Sequence, residues 1–144
     1  MTQGKVLALY ISTGDPKLPR EEKETIHVDE NGVLGDKFYA KDPNRSVLLT
    51  FTGSYNLAQN EGIDLAVGKL GENIYIDINP YELPCDAKIK IGEVVFEVSQ
   101  HCTLCKGLSS IDAKLPKLLK NDRGIFIRPL TKGSIKVGDK VVLQ

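Results

Sequence analysis

Apolar residues in this 144-residue chain fall into short runs separated by Gly, Pro, Asn and Asp, a spacing that predicts strands rather than long helices. Residues 6–11, Val-Leu-Ala-Leu-Tyr-Ile, are continuously apolar and read as a strand buried on both faces. Residues 16–24 contain Pro16, Pro19 and a cluster of charges, which predicts a polar loop with no packed element. Residues 25–29 then alternate as a half-exposed strand does, with His27 facing solvent. Asn31-Gly32 and Gly35 read as tight turns, and residues 46–51 as a second buried strand.

A short helix is predicted over residues 52–59, capped by Thr52 or Ser54 and stopped at Asn60-Glu61-Gly62. Residues 74–78 form a strand that Asn79-Pro80 ends. The clearest alternation lies in residues 87–98, two strands meeting at Gly92 with their charges pointing outward. Leu108, Ile111, Leu115 and Leu118 recur at helical spacing, with Ser109 and Asp112 resembling a capping box and Pro116 expected to kink or split the helix. Residues 124–130 read as a strand confined by Pro129 to an edge or bulge, and residues 135–143 as two short strands around Gly138-Asp139. The expected fold is a single domain over residues 1–144, mainly β, with about eight strands in an antiparallel barrel-like sheet and two short helices that plug or flank it.

Composition narrows the function classes. Lys plus Arg equals Asp plus Glu at 19 each, so nothing suggests bulk attraction to nucleic acid or an anionic membrane, and a charged ligand must be bound locally. Three cysteines, an odd number, argue for a reducing compartment rather than a disulfide framework. The apolar run at residues 6–11 is too short for a signal core or a membrane span, and a cytoplasmic location is expected.

The chemistry concentrates in His101-Cys102-Thr103-Leu104-Cys105, where a predicted strand ends in two thiols. A structural zinc needs two more ligands, and only His101, His27 and the distant Cys85 are on offer. Dithiol exchange between Cys102 and Cys105 fits the following helix, whose N-terminal amides lower a thiol pKa, but not the absence of βαβ alternation. Two semi-buried cysteines packing as small apolar groups is the plainest reading. Arg45, at the mouth of a buried strand, is either a surface charge or an anion fork.

Several separated segments together resemble the MOSC family, named for the C-terminal domain of molybdenum cofactor sulfurases. They are Gly32-Val33-Leu34-Gly35-Asp36, Arg45-Ser46-Val47-Leu48-Leu49, Gly68-Lys69-Leu70-Gly71-Glu72-Asn73-Ile74, the strand through Val98 with its cysteine loop, and Gly124-Ile125-Phe126-Ile127-Arg128 through Gly138-Asp139. The likeness runs from about residue 30 onward, and it is the order of the pieces that makes it specific.

The resemblance implies a barrel-like MOSC fold and a molybdenum cofactor (molybdopterin). It also implies a loop cysteine that ligates the metal or carries sulfur. Position in the loop favours Cys105, but Thr103-Leu104 stands where the family's commoner loop has arginine and a proline, so Cys102 remains an alternative. Arg45 and Arg128 are then candidate phosphate forks, Asn73 a partner for the pterin's polar edge and Glu72 a residue bordering the pocket. His101 is placed to hold a thiolate or shuttle a proton. Cys85 matches no segment of the family and reads as structural. Such domains reduce N-hydroxylated compounds or handle sulfur for the cofactor, with electrons or sulfur from a partner protein in trans. The alternative is a non-catalytic molybdopterin carrier.

Overall fold

The computed structural model describes residues 2–15, 17, 20–101, 112–120 and 122–143. The strands are β1 (Thr2–Ser12), β2 (Arg20–Lys23), β3 (Thr25–Asp29), β4 (Gly32–Val33), β5 (Val47–Phe51), β6 (Ile74–Ile76), β7 (Lys88–Ile91), β8 (Val94–His101), β9 (Ile125–Pro129), β10 (Gly133–Lys136) and β11 (Lys140–Leu143). Among the described residues the helices are α1 (Thr52–Asn60) and α2 (Leu115–Leu118), and a 3-10 turn covers Pro43–Arg45. Seven strands close a barrel in the order β11-β7-β8-β9-β5-β6-β1, with β1 pairing back onto β11. β2 extends the sheet beyond β1, while β10, β3 and β4 make a separate small sheet.

Closure follows from the length of β1. Its first half pairs with β11 (Thr2↔Leu143 to Lys5↔Lys140) and its second half with β2 (Leu9↔Lys23 to Ser12↔Arg20). On its other edge it pairs with β6 through a bulge between Val6 and Ala8. All pairings are antiparallel except β5–β6, which run parallel with Leu49↔Ile74 and Phe51↔Ile76 in register. A parallel pair cannot be joined by a hairpin; α1 and the segment after it supply the crossover.

The interior is filled by the inward residues of these strands, among them Leu9, Leu49, Ile74, Ile91, Phe96 and Ile127, all fully buried. A second apolar cluster lies outside the barrel wall. Tyr55 and Ala58 of α1, Leu115 and Leu119 around α2, and Ile63 and Leu70 from the crossover pack together, with Tyr75 of β6 against them. The helices therefore flank the barrel and cover the outer face of β5 and β6, which explains why β5 is buried on both faces.

Several sequence expectations change in detail. The polar stretch 16–24 contains β2: the charges of Arg20–Lys23 suit an edge strand, whose free edge faces water. The predicted strand 74–78 stops at Ile76. Pro116 sits in the first turn of α2, where its missing N–H costs nothing; Leu108, Ser109 and Ile111 of the expected helix and its capping box lie outside the described residues. Pro129 ends β9, an interior strand rather than an edge. Leu130 N–H bonds Val95 on β8, so the Pro129 nitrogen faces the β5 side, at a level where β5 has not yet begun. The two closing strands, β10 and β11, belong to different sheets, with Gly138 at φ 94° in the turn between them.

Candidate functional site

The residues singled out by sequence fall into two places. Glu72 and Asn73 lie where the chain enters β6. Asn73 is buried, and its side chain clips three segments together: Oδ1 accepts the Leu48 N–H at 3.1 Å, and Nδ2 donates to the Tyr10 carbonyl at 3.2 Å and to Asp36 Oδ1 at 3.0 Å. Asp36 is equally engaged, accepting the Ser12 and Phe38 N–H groups at 2.6 and 3.0 Å. Both amide protons of Asn73 are used within the protein.

Glu72 is wholly buried between the outer face of β5 and α1. Its Oε2 accepts the Thr50 hydroxyl at 2.6 Å and the Tyr55 hydroxyl, while Oε1 has no partner among the described residues. Burial, first, and the Glu72 carboxylate, second, push the Tyr55 phenol far above its ordinary range. Burial also raises Tyr81, which bonds Ser54 at 2.8 Å.

Arg20, expected in a loop, reaches this cluster. Its guanidinium donates to Ser12 Oγ and to the Glu72 carbonyl, and lies 5.8 Å from the Tyr10 ring. Burial lowers its pKa, and the charges of Glu72 and Asp36 oppose that. An open groove of about 430 Å³ beside it is lined by Ser12, Arg20, Lys37, Phe38 and Gly71. Asp15 also lines that groove, and with Glu72 and Asp36 near Arg20 it has no strong excess of positive charge.

The second place is the outer face of β8 and β9. Phe126 and Arg128 point outward from β9, whose alternate residues Ile125 and Ile127 fill the barrel. The 3-10 turn folds over them, capped by Asp42, whose side chain accepts the Asn44 N–H at 2.9 Å. Arg45 is exposed, and its guanidinium carbon sits 5.1 Å from the Phe126 ring centroid, within cation–π range. Among the described residues it makes no ion pair with a carboxylate.

Arg128 donates to Asn44 Oδ1 at 3.2 Å and pairs with Glu97 on β8. Glu97 also binds Lys88 on β7 at 2.7 Å. Lys88, Glu97 and Arg128 are direct cross-strand partners, so the ladder is set by register. Hydrogen bonds from Lys88, first, and Arg128, second, hold the Glu97 carboxyl below its ordinary range. Among the described residues Lys88, Arg128 and Arg45 stand on this face against Glu97, with Asp42 capping the turn.

Arg45 and Arg128, 83 residues apart by their numbering, are thus brought to one face, and Glu72 and Asn73 are not. Residues 102–111, with Cys102 and Cys105, lie outside the described residues; His101 is the last described residue of β8, opposite Ile125. The chain passes into the cysteine segment from the end of β8. Cys85 is exposed, its thiol 3.5 Å from the Ser99 carbonyl. Sequence reading missed Asn44, Lys88, Glu97 and Ser99 as parts of this face. The alternation in 87–98 placed Lys88 and Glu97 outward, but only the register pairs them with Arg128.

Among the described residues no group of three or more His, Cys, Asp or Glu could hold a metal ion, and no helix is long and apolar enough to cross a membrane.

Comparison with solved structures finds the same fold in YuaD from Bacillus subtilis, at 16% identity and TM-score 0.80, covering 97% of this chain and 94% of that one. YiiM from Geobacillus stearothermophilus aligns at 15% identity and TM-score 0.72, covering 98% and 75%. YiiM from Escherichia coli aligns at 17% identity and TM-score 0.71, covering 100% and 70%. A comparison with curated protein sequences finds no match. The MOSC domain family model matches residues 35–142, three-quarters of the chain, from the Gly-Asp turn through β11. The chain therefore belongs to the MOSC domain family.

Proposed function

We propose that this domain binds a molybdopterin-type cofactor on the β8–β9 face and uses a thiolate of the following loop, Cys105 in the first place and Cys102 in the second, as molybdenum ligand or sulfur carrier. The MOSC family is generally associated with the molybdenum cofactor. The observation that carries the reading is the arginine pair: Arg45, unpaired by carboxylate among the described residues, reaches from the 3-10 turn over Phe126 of β9, and Arg128, two residues further along β9 on the same face, bonds Asn44 of that turn. Guanidinium forks suit a phosphate, and a thiolate suits a soft metal, so these donors fit the group.

The roles divide accordingly. Arg45 and Arg128 hold the phosphate, with Lys88 adding charge from β7. Glu72 and Asn73, proposed from sequence as cofactor contacts, act by fixing β5, β6 and β1 in place. His101 favours the thiolate of the neighbouring cysteine when it is protonated. Bound molybdopterin supplies a redox-active molybdenum. With two electrons from a partner protein and two protons, an N-hydroxylated compound is reduced to the parent compound and water. In the sulfur-carrying version the cysteine holds a persulfide received in trans.

The test is reconstitution with cofactor, followed by an assay for reduction of an N-hydroxylated base in wild type, Cys105→Ala and Cys102→Ala, with intact-mass measurement of each. Reduction lost in Cys105→Ala but kept in Cys102→Ala supports the reading. Cofactor retained without turnover makes the domain a carrier, and retention of neither cofactor nor persulfide overturns it.

A further inference from the structure

β8 is interrupted by a bulge between Val98 and Gln100, and Ser99 is the extra residue. Its hydroxyl lies 2.6 Å from the Asn44 carbonyl and 3.0 Å from the Phe126 carbonyl. Both groups are acceptors, so only a hydroxyl proton between them makes the arrangement favourable. Each carbonyl belongs to a segment that seats an arginine. Asn44 directly precedes Arg45 and accepts Arg128 through its own Oδ1, while the Phe126 ring supports the Arg45 guanidinium. One hydroxyl thus joins the 3-10 turn, β8 and β9 at the point where both guanidinium groups are oriented. Bulges aim a side chain that regular alternation would place elsewhere, and here the aimed side chain bridges the turn and the sheet.

We propose that Ser99 is a positioning residue for an anion fork made by Arg45 and Arg128, and that the group it serves is a phosphate. The inference rests on the reading of the arginine pair given above. Without the hydroxyl the two carbonyls face each other unbridged, and the turn parts from β9. Arg45 then leaves the Phe126 ring and Asn44 leaves Arg128. The two forks lose their common orientation while the barrel core, on the other face of β9, is untouched. Preorganisation of this kind acts on affinity rather than on the fold.

The experiment compares Ser99→Thr with Ser99→Val, near-isosteric variants that differ in the hydroxyl. Inorganic phosphate is titrated into each protein and into wild type, and the Nε–Hε signals of Arg45 and Arg128 are followed by NMR. Wild type and Ser99→Thr are expected to show saturable shifts at both arginines with similar Kd. In Ser99→Val the Kd rises roughly five- to tenfold, the equivalent of one hydrogen bond's orientation. Melting midpoints of the two variants should agree within about 4 °C, which separates positioning from loss of fold. Equal affinity in the Val and Thr variants, with Arg45→Ala weakened, overturns the role of Ser99 and leaves the fork standing. A Thr variant as weak as Val overturns it too. No saturable shift at either arginine in wild type overturns the fork itself, and the inference falls with it.

Discussion

The entry to β6 and the outer face of β8–β9 carry comparable numbers of polar side chains, yet they treat them in opposite ways. At the first, Asn73, Asp36, Thr50 and Glu72 are buried and bond chiefly to one another and to backbone groups of β1 and β5. At the second, Arg45 is exposed and has only a ring for support, while Arg128 and Lys88 share one carboxylate. A polar group sealed in the fold stabilises through the bonds it makes there, as Asn73 and Asp36 do, although Glu72 Oε1 has no partner among the described residues. A charged group held in place but not neutralised is available to a ligand. Polar residues from neighbouring motifs of one family thus divide into those that build the barrel and those that face outward.

The sharpest way to break this contrast is to treat Asn73 as a binding residue. Asn73→Ala strands the Leu48 N–H, the Tyr10 carbonyl and one bond of Asp36 in a buried setting, and should cost about 3 kcal/mol. Urea denaturation measures it as a lower midpoint, while phosphate titration of the folded variant should match wild type. A variant of unchanged stability that has lost phosphate binding would put Asn73 on the ligand side.

The inner region also has an alkaline signature. All five tyrosines have raised pKa values, Tyr55 and Tyr81 most strongly, with burial the leading cause in both. A phenol whose folded pKa exceeds its unfolded value of 10.0 contributes stability that is fully present below that value and lost as pH rises through the folded one. Stability should therefore decline above about pH 10, with the last tyrosinate absorbance appearing together with unfolding. Tyr55→Phe removes one such group and should flatten the decline. Full ionisation of every tyrosine in a folded protein would show that the Glu72 cluster is open to water.

Much of the fold was legible because strand residues alternate: 87–98 gave β7 and β8, and the run 46–51 gave β5. What alternation does not carry is the partner. Arg20 looked like loop charge because its contacts, Ser12 and the Glu72 carbonyl, include one 52 residues away. The Glu72–Thr50–Tyr55 cluster needs the parallel β5–β6 crossover, which no local pattern announces. The bulge at Ser99 has no sequence mark at all, since serine in a strand is unremarkable. The arginine pair was readable as two residues but not as one place, and the cysteines that drew first attention lie outside the described residues.

On the outer face the expected effects are smaller and fall on binding. Arg45→Ala should weaken phosphate binding about tenfold, or 1.4 kcal/mol, and change stability by no more than about 0.5 kcal/mol, because the side chain is exposed. Raising salt should weaken phosphate binding in wild type more than in the variant, as expected when an exposed charge supplies the attraction. A loss of stability exceeding the loss of affinity would make Arg45 part of the scaffold and erase the contrast with Asn73.

Glu97→Gln tests the opposite sign on the same face. Glu97 engages Arg128 and Lys88, and its carboxyl is held below the ordinary range by those two bonds. A carboxyl with a depressed folded pKa stabilises the protein above its unfolded value, here 4.5, and that contribution disappears as pH falls through the folded value. Wild type should thus lose melting temperature on acidification below about pH 5 more steeply than the Gln variant. At neutral pH the amide no longer cancels the charge of Arg128 or Lys88, so phosphate should bind the variant roughly threefold more tightly. Tighter binding with a flatter acid limb means that Glu97 competes with the ligand for the fork. Weaker binding means that it holds Arg128 in the geometry the ligand needs, which would place a carboxylate alongside Ser99 among the residues that orient the site.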